Sequence, residues 1–141
     1  MSEAKTDAVE QGFDECIMLT GQGTVAEGST ENLFLVYGGD LITPPVTEDI
    51  LVGITRTTVM ELARRELGLK VVERIVDRSE LYIADEAFFT GTAAEVTPIR
   101  ELDNRLIKDG KPGPGTKKLQ KAYFDVVNGK SAKHKKWLTK V

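Results

Sequence analysis

The stretch AEGSTENLF, residues 26–34, places polar residues and glycine between two apolar segments, ECIMLT (15–20) before it and LFLVYGG (33–39) after it. Apolar runs of this length predict strands, so the polar residues interrupt what reads as the buried part of a sheet. Glu27 and Glu31 are carboxylates, and burying a carboxylate costs free energy unless it has a partner. The stretch therefore predicts that Glu27 faces a group that compensates its charge.

The segments around this stretch predict a mixture of strands and helices. Apolar, β-branched runs predict strands or extended pieces at residues 15–20, 32–38, 41–45, 69–76, 86–91 and 94–102. Helical spacing of apolar residues, with glycine or proline at the ends, predicts helices within residues 2–11, 54–67, 78–85 and 111–129. Strands and helices do not alternate strictly, which favours an α+β class. The length of 141 residues and the lack of an obvious linker predict one domain, 1–141.

Composition excludes several classes of function. The net charge of −3 argues against a nucleic-acid binder, which normally presents a basic face. No apolar run approaches the roughly 18 residues that a membrane span needs, and the pattern of MSEAKTDAVEQG does not predict a secretory signal. Cys16 is the single cysteine, so it forms no internal disulfide, and we expect a buried thiol in a reduced, cytoplasmic protein.

The basic tail, residues 130–137 (KSAKHKKW), predicts a solvated end with Trp137 docking on the core. His134, the single histidine, lies in this tail and assembles neither a zinc site nor a Ser-His site, so no metal is expected.

Two glycine-containing turns predict a place for an anion. In GITR (53–56) a helix starts directly after Gly53, and the free N–H groups of a first helical turn attract anions. The plainer alternative is an ordinary helix start capped by Thr55. In GTAAE (91–95), small residues let a ligand approach the backbone and Thr92 adds a hydroxyl, although a tight turn between strands explains it as well. Two such turns in one small domain indicate a ligand that carries a phosphate. Neither turn is a Walker or a Rossmann motif.

The spacing of these clusters carries a resemblance. Glu27-x-Ser29-x-x-Asn32-Leu33-Phe34, then Leu41-x-Thr43, then Leu51-x-Gly53-Ile54-x-Arg56, resembles the signature of the class IV pyridoxal-phosphate aminotransferases. The segments RIVDRSELYIADE (74–86) and DEAFFTGTAAEVTPI (85–99) look like branched-chain amino acid aminotransferase rather than D-amino acid transaminase or aminodeoxychorismate lyase. The likeness covers nearly the whole chain. It implies the C-terminal, cofactor-binding domain of that fold, with a mixed sheet, a barrel-like core and flanking helices.

The resemblance also implies the roles of individual residues toward pyridoxal 5′-phosphate. Glu27 would hydrogen-bond the pyridine nitrogen and keep it protonated, so that the ring can accept electrons. Leu51 would pack on the ring. The backbone N–H groups of Ile54 and Thr55 would hold the phosphate together with Thr92. Thr92 and Ala93 would offer N–H groups to the substrate carboxylate.

Three further residues of the signature, Asn32, Glu31 and Arg56, are interpreted as supports that orient loops. The family's Schiff-base lysine is expected upstream of Met1, since Lys5 falls at the wrong place in the pattern, and the family's N-terminal domain has no counterpart here. No catalytic residue is therefore assigned within residues 1–141.

These implications lead to two hypotheses of different class. The first is the cofactor-binding domain of an enzyme that transfers amino groups between leucine, isoleucine or valine and 2-oxoglutarate, with weak cofactor binding and negligible turnover by itself. The alternative is a non-catalytic interaction or ligand-binding module, or a relic fragment, that reuses the fold; a different class IV member such as the lyase is a third reading. In the non-catalytic reading, the face that the absent N-terminal domain would cover is expected to be apolar and exposed, which would favour homo-oligomers.

Overall fold

The computed structural model describes residues 3–129, in which four helices frame one larger sheet and two small ones. The predictions for His134 and Trp137 lie outside the described residues. The elements, in chain order, are α1 (Glu3–Glu10), β1 (Ile17–Leu19), β2 (Val25–Gly28), β3 (Asn32–Tyr37), β4 (Asp40–Thr43), a 3₁₀ turn (Val46–Glu48), α2 (Ile54–Arg65), β5 (Val71–Glu73), α3 (Arg78–Ile83), β6 (Glu86–Gly91), β7 (Glu95–Pro98), β8 (Glu101–Leu102), β9 (Arg105–Leu106) and α4 (Pro114–Val127).

The larger sheet has five strands in the order β5-β4-β3-β6-β7. Strand β3 lies at its centre and pairs antiparallel with both β4 and β6, whereas β4 and β5 run parallel and are joined through α2. The two smaller sheets are the antiparallel pairs β1-β2 and β8-β9. The predicted α+β class and mixed sheet are therefore confirmed. None of the sheets formed by residues 3–129 closes on itself, so the expected barrel-like core is not a closed barrel.

The core lies on both faces of the sheet because successive side chains of a strand point to opposite faces. Phe34 and Val36 of β3 face a cluster that includes Val59, Leu62 and Leu119, from α2 and α4. Leu33 and Leu35 face a second cluster that includes Val25, Val76, Leu81 and Phe89. A central strand that is buried on both sides reads as a continuous apolar run, which is the pattern NLFLVY of β3.

The structure differs from the predicted elements at two places. Residues 25–28 form the buried strand β2, although the sequence presents Glu27 and Gly28 as part of a polar interruption. The expected strand 94–102 is divided into β7 and β8: the Ile99 N–H still donates to the Ala87 carbonyl of β6 over 2.8 Å, and the chain then leaves β6 and forms the hairpin with β9.

The predicted helix at 54–67 is confirmed as α2, and Gly68 follows it with a φ of +61°. A positive φ favours glycine, which explains why the helical pattern ends there. Among residues 3–129, no helix has both the length and the apolar character needed to cross a bilayer.

Candidate functional site

Glu27 lies in β2 with 8% of its surface exposed. Its Oε2 atom accepts hydrogen bonds from Asn32 Nδ2 and from the Leu51 backbone N–H, each over 3.2 Å. Both of the hydrogen bonds found for this side chain within residues 3–129 end on Oε2. Burial raises the pKa of Glu27, and the Leu51 N–H lowers it in part. The carboxylate therefore retains one acceptor oxygen and is suited to a cationic donor, which would offset the cost of burying its charge.

Helix α2 starts without a side-chain cap, which leaves its N-terminus open to an anion. Gly53 is the N-cap residue, and its carbonyl accepts the Thr57 N–H over 3.2 Å to close the first turn. The N–H groups of Ile54, Thr55 and Arg56 therefore have no partner within the helix. Thr55 does not cap the helix, contrary to the plainer sequence reading: it is buried inside the first turn, and its hydroxyl lies 3.4 Å from that of Tyr123. The macrodipole adds positive potential here.

The loop that leads into α2 is tied to the rest of the domain by two buried side chains. Arg56 Nη2 donates to the Pro44 carbonyl over 3.2 Å and to the Glu73 carboxylate over 2.8 Å. Glu48 accepts a hydrogen bond of 2.5 Å from the Thr24 hydroxyl. These contacts hold the segment from Pro44 to Gly53 at both of its ends, so the start of α2 has a fixed place relative to the sheet.

Three clusters of polar residues and glycine, at 27–32, 51–56 and 89–98, meet at one end of the sheet. Asn32, the first residue of β3, pairs with Thr90 of β6, so the turn that begins at Gly91 lies beside the turn that precedes β3. A Cβ atom on Gly91 would lie only 3.1 Å from Glu31 Cγ, which shows how closely these two turns approach. Asn32 in turn binds Leu51 and Gly53 directly. The topology thus brings together turns that are about 20 to 60 residues apart in sequence.

The side chains at this end include unusually exposed apolar residues. Leu51 is 80% exposed, Val52 is 55% exposed and Ile54 is 87% exposed. Thr92 and Ala93 are exposed on the neighbouring turn. Contiguous apolar side chains in water mark a surface that a ligand or another polypeptide covers. Of the residues expected to hold the cofactor, Glu27 and Thr55 are buried, whereas Leu51, Ile54 and Thr92 are open to such a ligand.

Glu15, in the segment before β1, makes interactions that no pattern in the sequence indicates. Its carboxylate accepts hydrogen bonds from Lys5 Nζ over 3.1 Å, from the Cys16 N–H over 2.9 Å and from the Ser29 N–H over 3.4 Å. Burial by itself would raise the pKa of Glu15. The hydrogen bonds from Ser29, Cys16 and Lys5 outweigh burial and lower that pKa to about 2. The fold brings this set together, since 14 residues separate Glu15 from Ser29 in the sequence.

Glu31 interacts with Glu15, and its pKa is shifted in the opposite direction. Burial raises the pKa of Glu31, and the neighbouring charge of Glu15 raises it further, whereas Lys5 lowers it. Burial and Glu15 likewise raise the pKa of the Cys16 thiol. When two carboxyl groups share a site, one of them loses its proton at a higher pH than the other, and here the raised pKa belongs to Glu31. Glu15, whose pKa is lowered, is the member that pairs with Lys5.

A pair of isosteric substitutions tests this division of charge. A carboxyl group whose pKa is raised in the folded state stabilises fully below its ordinary value of 4.5 and loses that contribution as pH rises. Glu31→Gln mimics the protonated group, so its free energy of unfolding should match that of the parent chain in acid and exceed it at neutral pH. Glu15→Gln should be less stable at neutral pH, and its deficit should shrink as pH falls from 4.5 toward 2.

Urea unfolding between about pH 3 and pH 8 measures both differences. Glu101→Gln, at an exposed strand residue, is the control and should give a small change in stability. A Glu31→Gln variant that is less stable than the parent at neutral pH would contradict the raised pKa of Glu31.

Residues 3–129 contain no group of three or more His, Cys, Asp or Glu side chains placed to hold a metal ion. An open groove is lined by Leu62, Leu67 and Ala122 among others. It lies at the C-terminal end of α2, the opposite end of that helix from Ile54. The chemistry-bearing residues of the sequence therefore concentrate at the end of the sheet that carries Glu27.

Comparison with known proteins supports the resemblance carried by these residues. The profile of the family described as Amino-transferase class IV matches residues 1–102. A probable branched-chain-amino-acid aminotransferase of Aquifex aeolicus (strain VF5) is 56% identical over 138 residues, which are 98% of this chain and 44% of that protein. The chain thus spans less than half the length of the curated relatives it matches, for example 44% of the branched-chain-amino-acid aminotransferase of Escherichia coli (strain K12), at 43% identity.

A solved structure shows the same arrangement. The branched-chain amino acid aminotransferase of Thermobaculum terrenum in its PLP form superposes with a TM-score of 0.94 at 48% identity, over 96% of this chain and 44% of that one. Class IV aminotransferases depend on pyridoxal phosphate. The family match and the high identity over nearly the whole chain confirm the resemblance, and the chain belongs to the class IV aminotransferase family.

Proposed function

We propose that residues 1–141 form the pyridoxal-phosphate-binding domain of a branched-chain amino acid aminotransferase. The observation that carries the proposal is the half-satisfied Glu27 carboxylate beside an uncapped helix start. Glu27 has both of its hydrogen bonds on Oε2, and α2 offers three N–H groups without an intrahelical partner next to the Leu51 loop. A cationic ring nitrogen at one end and a phosphate at the other complement these two features.

The residues present fit the cofactor at both ends. Glu27 would hold a proton on the ring nitrogen, and the pyridinium charge would offset the burial that raises the pKa of this carboxyl group. The N–H groups of Ile54 and Thr55 would bind the phosphate, with the Thr92 hydroxyl as an additional donor. Leu51, at 80% exposure, would be covered by the ring. When bound, the cofactor supplies a conjugated system that takes up electrons as the substrate loses its α-proton.

The substrate would be an amino acid or 2-oxo acid held through its carboxylate. Thr92 and Ala93 lie on the exposed turn after β6, and their N–H groups are the proposed carboxylate donors. The proposed exchange is between leucine, isoleucine or valine and 2-oxoglutarate. Support comes from a further branched-chain amino acid aminotransferase, 43% identical with a TM-score of 0.92 over 96% of this chain and 46% of that one, which has been solved with N-(5′-phosphopyridoxyl)-L-glutamate. The lone free thiol of Cys16 supports a cytoplasmic location.

Glu27→Gln tests the ring-nitrogen end. Removing a charge-assisted hydrogen bond is expected to weaken the binding of pyridoxal 5′-phosphate by about 10- to 100-fold. Titration followed by absorbance or calorimetry measures the dissociation constant. The 141-residue polypeptide should release bound cofactor on dialysis and should show negligible transamination, because none of its lysines is assigned as the family's Schiff-base lysine.

Two comparisons make the titration decisive. Glu101→Gln should leave the affinity unchanged, because Glu101 lies on an exposed strand of the β8-β9 hairpin. Inorganic phosphate should compete equally in the parent chain and in Glu27→Gln, since it reaches only the helix start. A Glu27→Gln variant that binds the cofactor as tightly as the parent would refute the assignment.

The exposed apolar edge favours an alternative that the same preparation can distinguish. Leu51, Val52 and Ile54 would drive self-association if no ligand or other polypeptide covers them. Size-exclusion chromatography that shows a stable oligomer without cofactor binding would support a non-catalytic module. Co-expression with the N-terminal part of the Aquifex relative, followed by assays with leucine and 2-oxoglutarate and with aminodeoxychorismate, separates the aminotransferase from the lyase.

A further inference from the structure

The side chain of Asn32 is buried, with 5% exposure, and bonds three atoms of other residues. Its Nδ2 donates to Glu27 Oε2 over 3.2 Å and to the Leu51 carbonyl over 2.7 Å. Its Oδ1 accepts the Gly53 N–H over 3.2 Å. The Leu51 N–H closes the set by donating to the same Glu27 oxygen. One amide therefore joins the carboxylate of β2 to the residues that begin α2.

The shape of the site shows that this contact is tight. A Cβ atom on Gly53 would lie 2.8 Å from Asn32 Oδ1, closer than real Cβ atoms approach an oxygen. Gly53 has a φ of −74°, which any residue adopts, so backbone conformation does not require glycine at this position. The requirement comes from the amide itself, because any side chain on residue 53 would push the Asn32 oxygen away from the Gly53 N–H.

Only an amide satisfies all three partners. Aspartate has the same shape, but it would place a second negative charge beside Glu27 and would have no N–H to donate to Glu27 or Leu51. Alanine would leave the Gly53 N–H and the Leu51 carbonyl without their partner, and a partly satisfied buried network costs more than none. Asn32 is itself fixed as the first residue of the central strand β3, opposite Thr90.

We propose that Asn32 is a positioning residue that makes the Glu27 carboxylate and the 51–53 turn one rigid unit. The orientation of the acid at the ring-nitrogen end and the position of the helix start at the phosphate end then depend on the same amide. The consequence for the cofactor rests on the proposed function. The coupling within the protein does not, because it concerns only groups that are bonded in the free chain.

Amide hydrogen exchange tests the coupling without any ligand. In Asn32→Ala, the Leu51 and Gly53 amides are expected to exchange about 2- to 10-fold faster, the change that corresponds to losing one typical hydrogen bond. In Asn32→Asp, which keeps an acceptor oxygen for the Gly53 N–H but has no donor for Glu27, this acceleration is expected at the Leu51 amide. Gly53→Ala should accelerate exchange at Leu51 as well, although it leaves Asn32 in place. Asn128→Ala, which removes a side-chain bond to the Phe124 carbonyl at the end of α4, is the control and should leave both amides unchanged.

A second readout distinguishes positioning from general stability. The carboxyl carbon of Glu27, followed by NMR against pH, should report a higher pKa in Asn32→Ala than in the parent chain because the carboxylate loses a donor. Asn128→Ala, even if it lowers the melting temperature equally, should not move this titration. Unchanged exchange at Leu51 and Gly53 together with an unchanged Glu27 titration in Asn32→Ala would overturn the proposal.

Cofactor titration then separates this proposal from the proposed function. Asn32→Asp is expected to weaken pyridoxal 5′-phosphate and inorganic phosphate together, whereas Glu27→Gln should weaken only the former. If the parent chain binds neither ligand, the proposed function fails while the exchange and NMR results still decide the role of Asn32. If the parent binds both ligands and Asn32→Asp binds them equally well, the positioning role fails and the proposed function stands.

Discussion

Replacing Phe88 with alanine is expected to lower the free energy of unfolding by about 3–5 kcal/mol, the cost of removing a large aromatic side chain from a closed core. Phe88 is fully buried in β6 and stacks on Phe34 of β3, with ring centroids 5.2 Å apart and planes 7° apart. The two residues are direct cross-strand partners at the centre of the larger sheet. Their cluster also receives side chains from α2 and α4, so a cavity at this point touches the sheet and both helices that cover this face.

Urea unfolding monitored by circular dichroism measures the change. Phe124→Ala is the matched control, because Phe124 lies on α4 with half of its surface exposed, and a loss of about 1 kcal/mol or less is expected there. Phe34→Ala should resemble Phe88→Ala, and the double variant should cost less than the sum because the two rings share one contact. A Phe88→Ala cost near that of Phe124→Ala would contradict this account of the core.

The elements with a strong local pattern could be predicted from the sequence. Strand β3 and helix α2 have apolar spacings that identify them, and Gly68 ends α2 because its positive φ suits glycine. Strand β2 could not be predicted, because Glu27 and Gly28 look like breakers. The burial of Glu27 in this strand depends on hydrogen bonds from Asn32 and from Leu51, and Leu51 is 24 residues from Glu27 in the sequence.

The candidate site shows the same division between local and distant information. Glycine and small residues at 53 and 91–94 indicate turns that could accept an anion, but the residues alone leave an ordinary turn equally open. The roles of Glu27, Leu51 and Thr92 came from the resemblance and remain predictions. The bonds of Asn32 depend on residues of β2 and of the turn before α2, so no spacing rule could reveal them. The opposite pKa shifts of Glu15 and Glu31 depend on segments that flank the paired strands β1 and β2.

Glu86→Ala is expected to be the second most damaging substitution, at about 2–4 kcal/mol, because it removes the cap of α4 and leaves buried donors unsatisfied. The Glu86 carboxylate, which is 8% exposed, accepts the Gly115 N–H over 3.1 Å. It also accepts the Thr116 N–H over 2.7 Å and the Thr116 hydroxyl over 2.8 Å. A negative charge at a helix N-terminus is favoured by the macrodipole as well. These hydrogen bonds hold the N-terminus of α4 against the start of β6.

A comparison with Gly113→Ala separates the cap from simple packing. A Cβ atom on Gly113 would overlap the Glu86 carboxyl group, whereas the φ of −79° at Gly113 suits any residue. Gly113→Ala should therefore destabilise the chain while Glu86 is present and cost much less in the Glu86→Ala background, where the added methyl group fills vacated space. Glu86→Gln keeps an acceptor oxygen for Thr116 and should cost less than Glu86→Ala.

Because the Tyr123 hydroxyl of α4 lies 3.4 Å from the Thr55 hydroxyl, loss of this cap should also loosen the start of α2, at which we place the phosphate. Strictly additive costs for Gly113→Ala and Glu86→Ala in urea unfolding would show that the two residues do not interact and that the cap is weaker than the geometry indicates.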